Sequence, residues 1–288
     1  MHTVPDNSNV LVFGGSGQLG TALLGRLRAA GTPVLAPPRS EIDLLRADPG
    51  PVLEARRPSA VLNATAYNDV GGAESGSGRE AAFRLNRDVP AGLSRACAAQ
   101  GIPFVHVSTD YVFDGRKTTP YLEADPAAPL QTYGRSKLEG ERAVLEGNPS
   151  SLVVRTSTVY GRGSRDGTNY VDSVLAQARR SETLELVRLP VSSPTLAADL
   201  ARGILELLAL RASGIVHLVN RGACSRLELA QEAIRLAGLS ERVRIEERPP
   251  SKGGPQRPDY SVLDTARFTE ITGKPPRDWQ AALADYLK

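Results

Sequence analysis

A tyrosine and a lysine that could carry out proton transfer lie one helical turn apart, in the segment Tyr133-Gly134-Arg135-Ser136-Lys137. On a helix this spacing places both side chains on one face. A phenol has an unperturbed pKa of about 10, and a neighbouring ammonium lowers that pKa by favouring the phenolate. Thr109, which follows an apolar run, could hold a carbonyl oxygen with its hydroxyl. Together Thr109, Tyr133 and Lys137 predict acid–base chemistry at a carbonyl group.

The Tyr-x-x-x-Lys spacing alone is weak evidence, because most such pairs lie on a solvated helix surface. Here the pair follows the strand-like run Phe104–Val107, which ends in Ser108-Thr109-Asp110, and this context favours a catalytic role. Asn86, in the preceding helical stretch, could hold backbone or a proton-relay water. A helix cap or a surface position for Asn86 is an equally good interpretation.

A glycine-rich turn lies near the start of the chain, with Gly14, Gly17 and Gly20 directly after the apolar run Asn9–Phe13. An apolar helical pattern follows from Leu19. Glycine permits positive φ and a close approach of the backbone to a pyrophosphate, and a helix N-terminus presents free N–H groups to it. The order strand, turn, helix therefore predicts a dinucleotide-binding site.

The loop after the second predicted strand bears on which dinucleotide binds. An acidic residue at this point commonly holds a ribose 2′-hydroxyl, whereas a basic residue neutralises a 2′-phosphate. Arg39 favours NADPH, but Glu41 and Asp43 lie close by and keep NADH open as the alternative.

Strand-like and helical segments alternate along the first half of the chain, which predicts a parallel sheet covered on both faces. We expect an α/β protein, with a Rossmann-type doubly wound parallel sheet and a smaller C-terminal α/β substrate lobe. Residues 1–160 would form the NAD(P)-binding domain and 161–288 the substrate lobe, with some segments returning to the sheet. The predicted strands are Asn9–Phe13, Pro33–Ala36, Ala60–Asn63, Phe104–Ser108 and Leu152–Arg155, and the predicted helices include Glu80–Ala99, Tyr133–Glu146, Tyr170–Arg179, Ala197–Leu210, Ser225–Leu236 and Trp279–Leu287.

The composition excludes several classes of protein. The net charge is +3, without long runs of like charge, so no nucleic-acid surface is predicted. No stretch approaches about 18 consecutive apolar residues, so no membrane contact is predicted. The N-terminus lacks the pattern of a signal peptide, and a cytoplasmic location is expected. The cysteines and histidines are dispersed, so no metal site is expected, and His106 and His217 are expected in the core.

Several motifs together resemble the dTDP-4-dehydrorhamnose reductase family of extended short-chain dehydrogenases, in the right order over nearly the whole chain. They are GGSGQLG (14–20), NATAY (63–67), STDYVFDG (108–115), YGRSKLEGE (133–141), RTSTVYG (155–161), SSPT (192–195) and RPDYSVLDT (257–265).

The resemblance implies NADPH-dependent reduction of a keto group on a dTDP-6-deoxysugar. By position it makes Thr109, Tyr133 and Lys137 the catalytic set, with Tyr133 as proton donor and Lys137 also holding the nicotinamide ribose. The cofactor would be lined by Gly14, Gly17, Gln18, Leu19, Gly20, Arg39, Asp43, Leu44, Ala64 and Ala66, and the substrate by Asp110, Thr158, Asn169 and Arg257.

Three departures from the family pattern fall where the substrate is expected. Thr158 stands where family members usually carry tryptophan. Leu189-Pro190 replaces an acidic residue and glutamine, and Gly71-Gly72 replaces an acidic–basic pair. A reductase acting on a different dTDP-4-keto-6-deoxysugar is therefore as good an interpretation as rhamnose synthesis.

Two other functions stay open at this point. The first is a non-catalytic, nucleotide-binding regulatory subunit, against which the intact Thr109, Tyr133 and Lys137 count. The second is an NAD-dependent epimerase or dehydratase; dehydratases usually carry an acidic pair after the catalytic threonine, and here Tyr111 follows Asp110. The sequence leaves open the keto-sugar, the product stereochemistry and whether the chain forms a homodimer.

Overall fold

The structure, a computed structural model, describes residues 9–163, 169–249 and 253–288. Its strands are β1 (Val10–Phe13), β2 (Val34–Leu35), β3 (Ala60–Asn63), β4 (Phe104–Thr109), β5 (Leu152–Thr156), β6 (Val159–Tyr160), β7 (Thr183–Leu186), β8 (Val191–Ser192), β9 (Thr195–Leu196), β10 (Gly214–His217), β11 (Cys224–Ser225) and β12 (Arg244–Glu247). Its α-helices are α1 (Gln18–Ala29), α2 (Gly50–Arg56), α3 (Gly76–Phe83), α4 (Val89–Gln100), α5 (Thr132–Gly147), α6 (Tyr170–Ala178), α7 (Ala197–Ala209), α8 (Arg226–Leu236), α9 (Ala266–Thr272) and α10 (Trp279–Tyr286). None of the helices within these ranges is long and apolar enough to cross a membrane.

The centre of the molecule is a parallel sheet in the order β10-β5-β4-β3-β1-β2. The chain passes from β1 to β2 on one side and then to β3 on the other. This reversal opens a crevice at the carboxyl ends of β1 and β3, where doubly wound folds bind their ligands. The predicted fold class is confirmed.

Both faces of the sheet are covered, which explains why its strands are continuous apolar runs. In β1, Val10 and Val12 pack toward α1 and α7 on one face. Leu11 and Phe13 point to the opposite face, toward α2 and α4. All four residues are buried, so this strand has no polar side.

The single helix predicted over Glu80–Ala99 was wrong in one respect. The structure divides this stretch into α3, a turn of π-helix at Arg84–Asp88, and α4. Pro90 lies in the first turn of α4, and because proline has no N–H it cannot bond to the carbonyl of Asn86. That carbonyl instead faces Gly140 of α5, where a Cβ would lie 2.0 Å from it.

The C-terminal half contributes to the sheet and also builds a second core. Strand β10 pairs with β5, and α7 packs against α1. The remaining helices α6, α8 and α10 enclose a separate apolar cluster around Trp279 and Leu283, with short two-stranded pairings at its margin. The domain boundary at residue 160 stays a prediction.

Candidate active site

The glycine turn after β1 is shaped by close contacts of the backbone. Gly14 has φ +84°, and a Cβ there would lie 2.7 Å from the carbonyl oxygen of Ala64. A Cβ on Gly20 would lie 2.0 Å from the carbonyl oxygen of Gly14. Gly17 is the N-cap of α1 and has no side chain to cap the first N–H groups of the helix. The turn therefore presents a positive helix end with little steric cover, which suits a pyrophosphate.

One cleft at the carboxyl edge of the sheet collects most of the predicted residues. Its lining includes Gly14, Gly17, Gln18, Leu19, Arg39, Asp43, Leu44, Ala64, Ala66, Thr109, Asp110, Tyr133, Lys137 and Thr158. Gly20 lies behind the turn in α1, where its missing Cβ allows the close approach to Gly14. The cleft brings the glycine turn and the predicted catalytic residues together.

Three polar side-chain atoms of this cleft have no hydrogen-bond partner among the described residues. They are Gln18 Oε1, Ser108 Oγ and Thr156 Oγ1, and each is buried. Buried polar groups are normally satisfied. Unpaired atoms beside a glycine cradle therefore fit a polar ligand such as a dinucleotide.

The two loop residues that give opposite indications for the cofactor pair with each other. The guanidinium of Arg39 lies 3.5 Å from Asp43 Oδ2. The pKa of the Asp43 carboxyl is lowered, mainly because its oxygen accepts the Leu45 N–H and also because of Arg39. Arg39 is exposed and Asp43 has a basic partner, so the loop as a whole does not present an unpaired carboxylate at this position.

Tyr133 and Lys137 lie in the first turns of α5. The helix begins after Gln131, whose side chain accepts the Gly134 N–H. Lys137 is fully buried, and its ammonium donates to the carbonyl oxygen of Val107 at 2.5 Å. Burial lowers the pKa of Lys137 to about 8, while Glu141 opposes the change.

The spacing between Tyr133 and Lys137 predicts a lowered pKa for the tyrosine, but in the structure this pKa is raised. Burial raises this pKa, and a hydrogen bond with Thr109 opposes the rise. Tyr133 is therefore protonated at neutral pH, which is the state that a proton donor requires.

His106 holds Lys137 from the sheet side. Its Nε2 lies 3.4 Å from Lys137 Nζ, and its Nδ1 lies 3.2 Å from Asn63 Nδ2. Asn63 Oδ1 is already occupied by the N–H and hydroxyl of Thr65. His106 is a buried core residue, as predicted, but it also orients the lysine.

Asn86 is buried on the π-helical turn and connects three segments. Its Oδ1 accepts the Tyr67 N–H, and its Nδ2 donates to the Tyr67 carbonyl and to Ser136 Oγ in α5. Asn86 therefore ties the loop after β3 to the helix that carries Tyr133.

Asp110 directly follows β4 and is buried at the wall of the cleft. It is bonded to three hydroxyl groups, those of Thr109, Ser157 and Ser261. Sequence reasoning missed Ser157 and Ser261, although both belong to the motifs RTSTVYG and RPDYSVLDT. Nothing in their spacing links them to Asp110, because the three residues meet only in the folded chain.

Thr158 lies in the cleft in a strained conformation. Its φ is +42°, which is unusual for a β-branched residue. Its hydroxyl lies 2.8 Å from Ser192 Oγ. Strain of this kind clusters at functional sites.

The structure does not bring two of the predicted substrate residues into the lining of this cleft. Asn169 is the N-cap of α6, and its amide donates to the Gly161 carbonyl and to the Tyr286 hydroxyl. Arg257 is exposed and hydrogen-bonds to the side chain of Tyr111. Leu189-Pro190 and Gly71-Gly72 also lie outside the described lining.

A family model described as the RmlD substrate binding domain matches residues 8–288. The chain belongs to this family. This match confirms the family that the sequence motifs indicated. Relatives named as dTDP-sugar reductases show that the chain is an enzyme.

Among the relatives, a dTDP-4-keto-6-deoxy-D-glucose reductase of Streptomyces niveus is 36% identical over 95% of this chain and 94% of its own length. A dTDP-4-dehydrorhamnose reductase of Mycobacterium tuberculosis is 35% identical over 98% and 93%. The crystal structure of the dTDP-4-dehydrorhamnose reductase of Bacillus anthracis in complex with NADP matches with a TM-score of 0.90 at 28% identity, covering 97% of this chain and 98% of the other. The RmlD likeness therefore extends over the whole fold.

Proposed function

We propose that this protein reduces the 4-keto group of a dTDP-6-deoxysugar with NADPH. The observation that carries the proposal is that Thr109, Tyr133 and Lys137 share one cleft with the glycine turn. Family membership supports a sugar-nucleotide reductase, and the named relatives act on dTDP-linked sugars.

The cofactor would lie along the cleft from the glycine turn to Lys137. Gly14, Gly17 and the N-terminus of α1 would hold its pyrophosphate, and Lys137 its nicotinamide ribose. NADPH, when bound, supplies the hydride. The NADP complex of the Bacillus anthracis relative and the exposed guanidinium of Arg39 both support NADPH over NADH.

Tyr133 would donate its phenolic proton to the sugar oxygen as that oxygen gains negative charge. Its raised pKa keeps the proton in place until then. The ammonium of Lys137, whose pKa is about 8, would stabilise the tyrosinate that remains. Thr109 would donate a hydrogen bond to the same oxygen and thereby orient the carbonyl group.

The substrate contacts are expected to differ from those of relatives that carry tryptophan at position 158. Thr158 and Ser192 form a hydroxyl pair there, which is smaller and more polar than an indole. We expect the protein to accept a sugar that carries a hydrogen-bonding substituent on the ring carbon next to Thr158 and Ser192. Asp110 and Thr158 line the cleft, whereas roles for Asn169 and Arg257 would need a rearrangement of their present contacts.

The proposal is tested by following NADPH oxidation by the purified protein with a panel of dTDP-4-keto-6-deoxyhexoses generated in place. Turnover of one of these sugars, including the precursor of dTDP-rhamnose, is expected. NADPH binding without turnover of any sugar would favour the regulatory-subunit function instead. A cytoplasmic location and a homodimer stay predictions.

Removing the Arg39 side chain is expected to weaken the binding of NADPH far more than the binding of NADH. A hydrogen bond to a charged group contributes about 1.5–3 kcal/mol, so Arg39→Ala should raise the Kd for NADPH by about 10- to 100-fold. Titration of the variant with each nucleotide measures the change. Arg46, which also approaches Asp43 but is more exposed, provides the matched control Arg46→Ala. If Arg39→Ala lost affinity equally for both nucleotides, the arginine would have no part in recognising the 2′-phosphate.

A further inference from the structure

The carboxyl group of Asp110 is surrounded by hydroxyl groups and has no cation bonded to it among the described residues. The residue is 3% exposed. Its Oδ2 accepts from Ser157 Oγ at 2.7 Å and from Ser261 Oγ at 2.6 Å, and its Oδ1 lies 3.0 Å from Thr109 Oγ1. A buried carboxylate without a charged partner is costly, and such groups commonly become neutral.

The two carboxyl oxygens are not equivalent. Ser157 and Ser261 both donate to Oδ2, which leaves Oδ1, on the Thr109 side, as the place for a proton. A protonated carboxyl group has one O–H to donate. The contacts therefore direct that O–H toward Thr109 Oγ1.

Thr109 has one hydroxyl hydrogen, and the acceptors within reach of it are Asp110 Oδ1 and the phenolic oxygen of Tyr133. Its oxygen accepts the Tyr111 N–H at 3.2 Å and also forms a hydrogen bond with the side chain of Tyr133. If Asp110 is ionised, it can only accept, so Thr109 must give its hydrogen to Oδ1. Thr109 then has no hydrogen for the cleft and can only accept from Tyr133.

The neutral form of Asp110 reverses this arrangement. Its O–H is donated to Thr109 Oγ1, and the hydroxyl hydrogen of Thr109 turns toward the cleft. The phenolic hydrogen of Tyr133 is then also free to point at a bound carbonyl oxygen. Both donors of the site face the reacting oxygen only in this state.

We propose that Asp110 works as a neutral carboxylic acid and is the positioning residue that turns the Thr109 hydroxyl hydrogen toward the sugar oxygen. This inference rests on the proposed reductase function for its consequence, but the protonation state can be measured without turnover. Ser157 and Ser261 hold the carboxyl group in the required orientation. Since Ser261 follows the RPDY segment, the C-terminal part of the chain takes part in arranging the catalytic threonine.

The electrostatic surroundings agree with a neutral group. Burial raises the pKa of Asp110, and hydrogen bonds from the three hydroxyl groups and from its own backbone N–H oppose the rise. The ionisable groups that face it are Tyr111 and Tyr133, and both are protonated at neutral pH because burial raises their pKa values. Arg257 interacts with the Tyr111 side chain.

Infrared spectroscopy of the full chain at neutral pH tests the protonation directly. We expect a carboxylic-acid C=O stretching band that is lost in Asp110→Asn. The matched control is Asp199→Asn, because Asp199 is also buried but bonds to Arg277 and Arg202. That variant is expected to leave the band in place. Absence of any band that depends on Asp110 would overturn the proposal, whether or not the protein proves to be a reductase.

Turnover of two Asp110 variants tests the positioning role. An asparagine can donate from Nδ2 to Thr109 and accept at Oδ1 from Ser157 and Ser261, as the neutral acid does. We expect Asp110→Ala to lower kcat by about 10²–10³-fold, which is the usual cost of losing one oxyanion donor. The kcat of Asp110→Asn should be at least tenfold higher than that of Asp110→Ala, with an unchanged KM for NADPH. An asparagine variant as slow as the alanine variant would show that a carboxylate is required and would refute the neutral acid.

Discussion

Replacing Tyr133 with phenylalanine is expected to lower kcat by about 10²–10⁴-fold, the usual contribution of a positioned general acid. In the proposed mechanism the phenol is the one group that would transfer its proton to the sugar oxygen, and burial raises its pKa, so the proton would stay bound until the oxygen gains charge. The ring itself would remain, so packing against Tyr111 and the shape of the cleft should be preserved. NADPH affinity should change little.

Single-turnover kinetics and NADPH titration separate the two effects of this substitution. Tyr121→Phe is a suitable control, because Tyr121 is also buried but does not line the cleft. This variant likewise loses one phenolic hydrogen bond, the one to Asp114. We expect kcat of the control to stay close to that of the unchanged protein. Full activity of Tyr133→Phe would show that Tyr133 is not the proton donor.

Replacing Glu141 with leucine is expected to destabilise the fold by about 3–5 kcal/mol, the usual cost of breaking a buried ion pair. Glu141 lies one turn after Lys137 and accepts two hydrogen bonds from Arg155 of β5, at 2.9 and 2.7 Å. The two side chains are 2% and 4% exposed. Without the carboxylate, the guanidinium would stay buried without its bidentate partner, next to the ring of Phe113.

Denaturant unfolding measures this loss, and two further variants define its cause. Glu141→Leu combined with Arg155→Met removes both charges and should recover most of the stability. Glu247→Leu breaks the exposed pair with Arg188 and should cost no more than about 1 kcal/mol. A double variant as unstable as Glu141→Leu alone would show that packing, and not the unpaired charge, explains the loss.

The sheet and the cofactor turn could be predicted because their physical causes are local. The run Asn9–Phe13 has no polar residue after Asn9, and Gly14, Gly17 and Gly20 follow at once. The structure forms β1 and α1 at these positions. The helix over residues 80–99 was only partly predicted, since Pro90 is compatible with a helical pattern but removes one N–H and leaves a π-helical turn before it.

The substrate side of the site was harder to predict, because its contacts join residues that are far apart in the chain. The family resemblance places Asn169 at the substrate, but in the folded chain its amide caps α6 and contacts Tyr286, which lies near the C-terminus. Thr158 was known to differ from tryptophan, but its positive φ and its contact with Ser192 depend on how β6 and β9 pair. Contacts between segments far apart in the chain leave no periodic pattern to read.

The sequence by itself determined the fold class, because strand hydrophobicity, glycine spacing and helical periodicity act over a few residues. Its motifs indicated the family, and they made Thr109, Tyr133 and Lys137 the predicted catalytic residues. Only the tertiary structure decided the surroundings that shift the pKa values of Tyr133, Lys137 and Asp110. It buries Lys137 beside His106 and lowers its pKa to about 8, and it encloses Asp110 among hydroxyl groups from three separate segments. The physical reason is that the pKa of a side chain depends on solvent exclusion and on partners that arrive from distant parts of the chain.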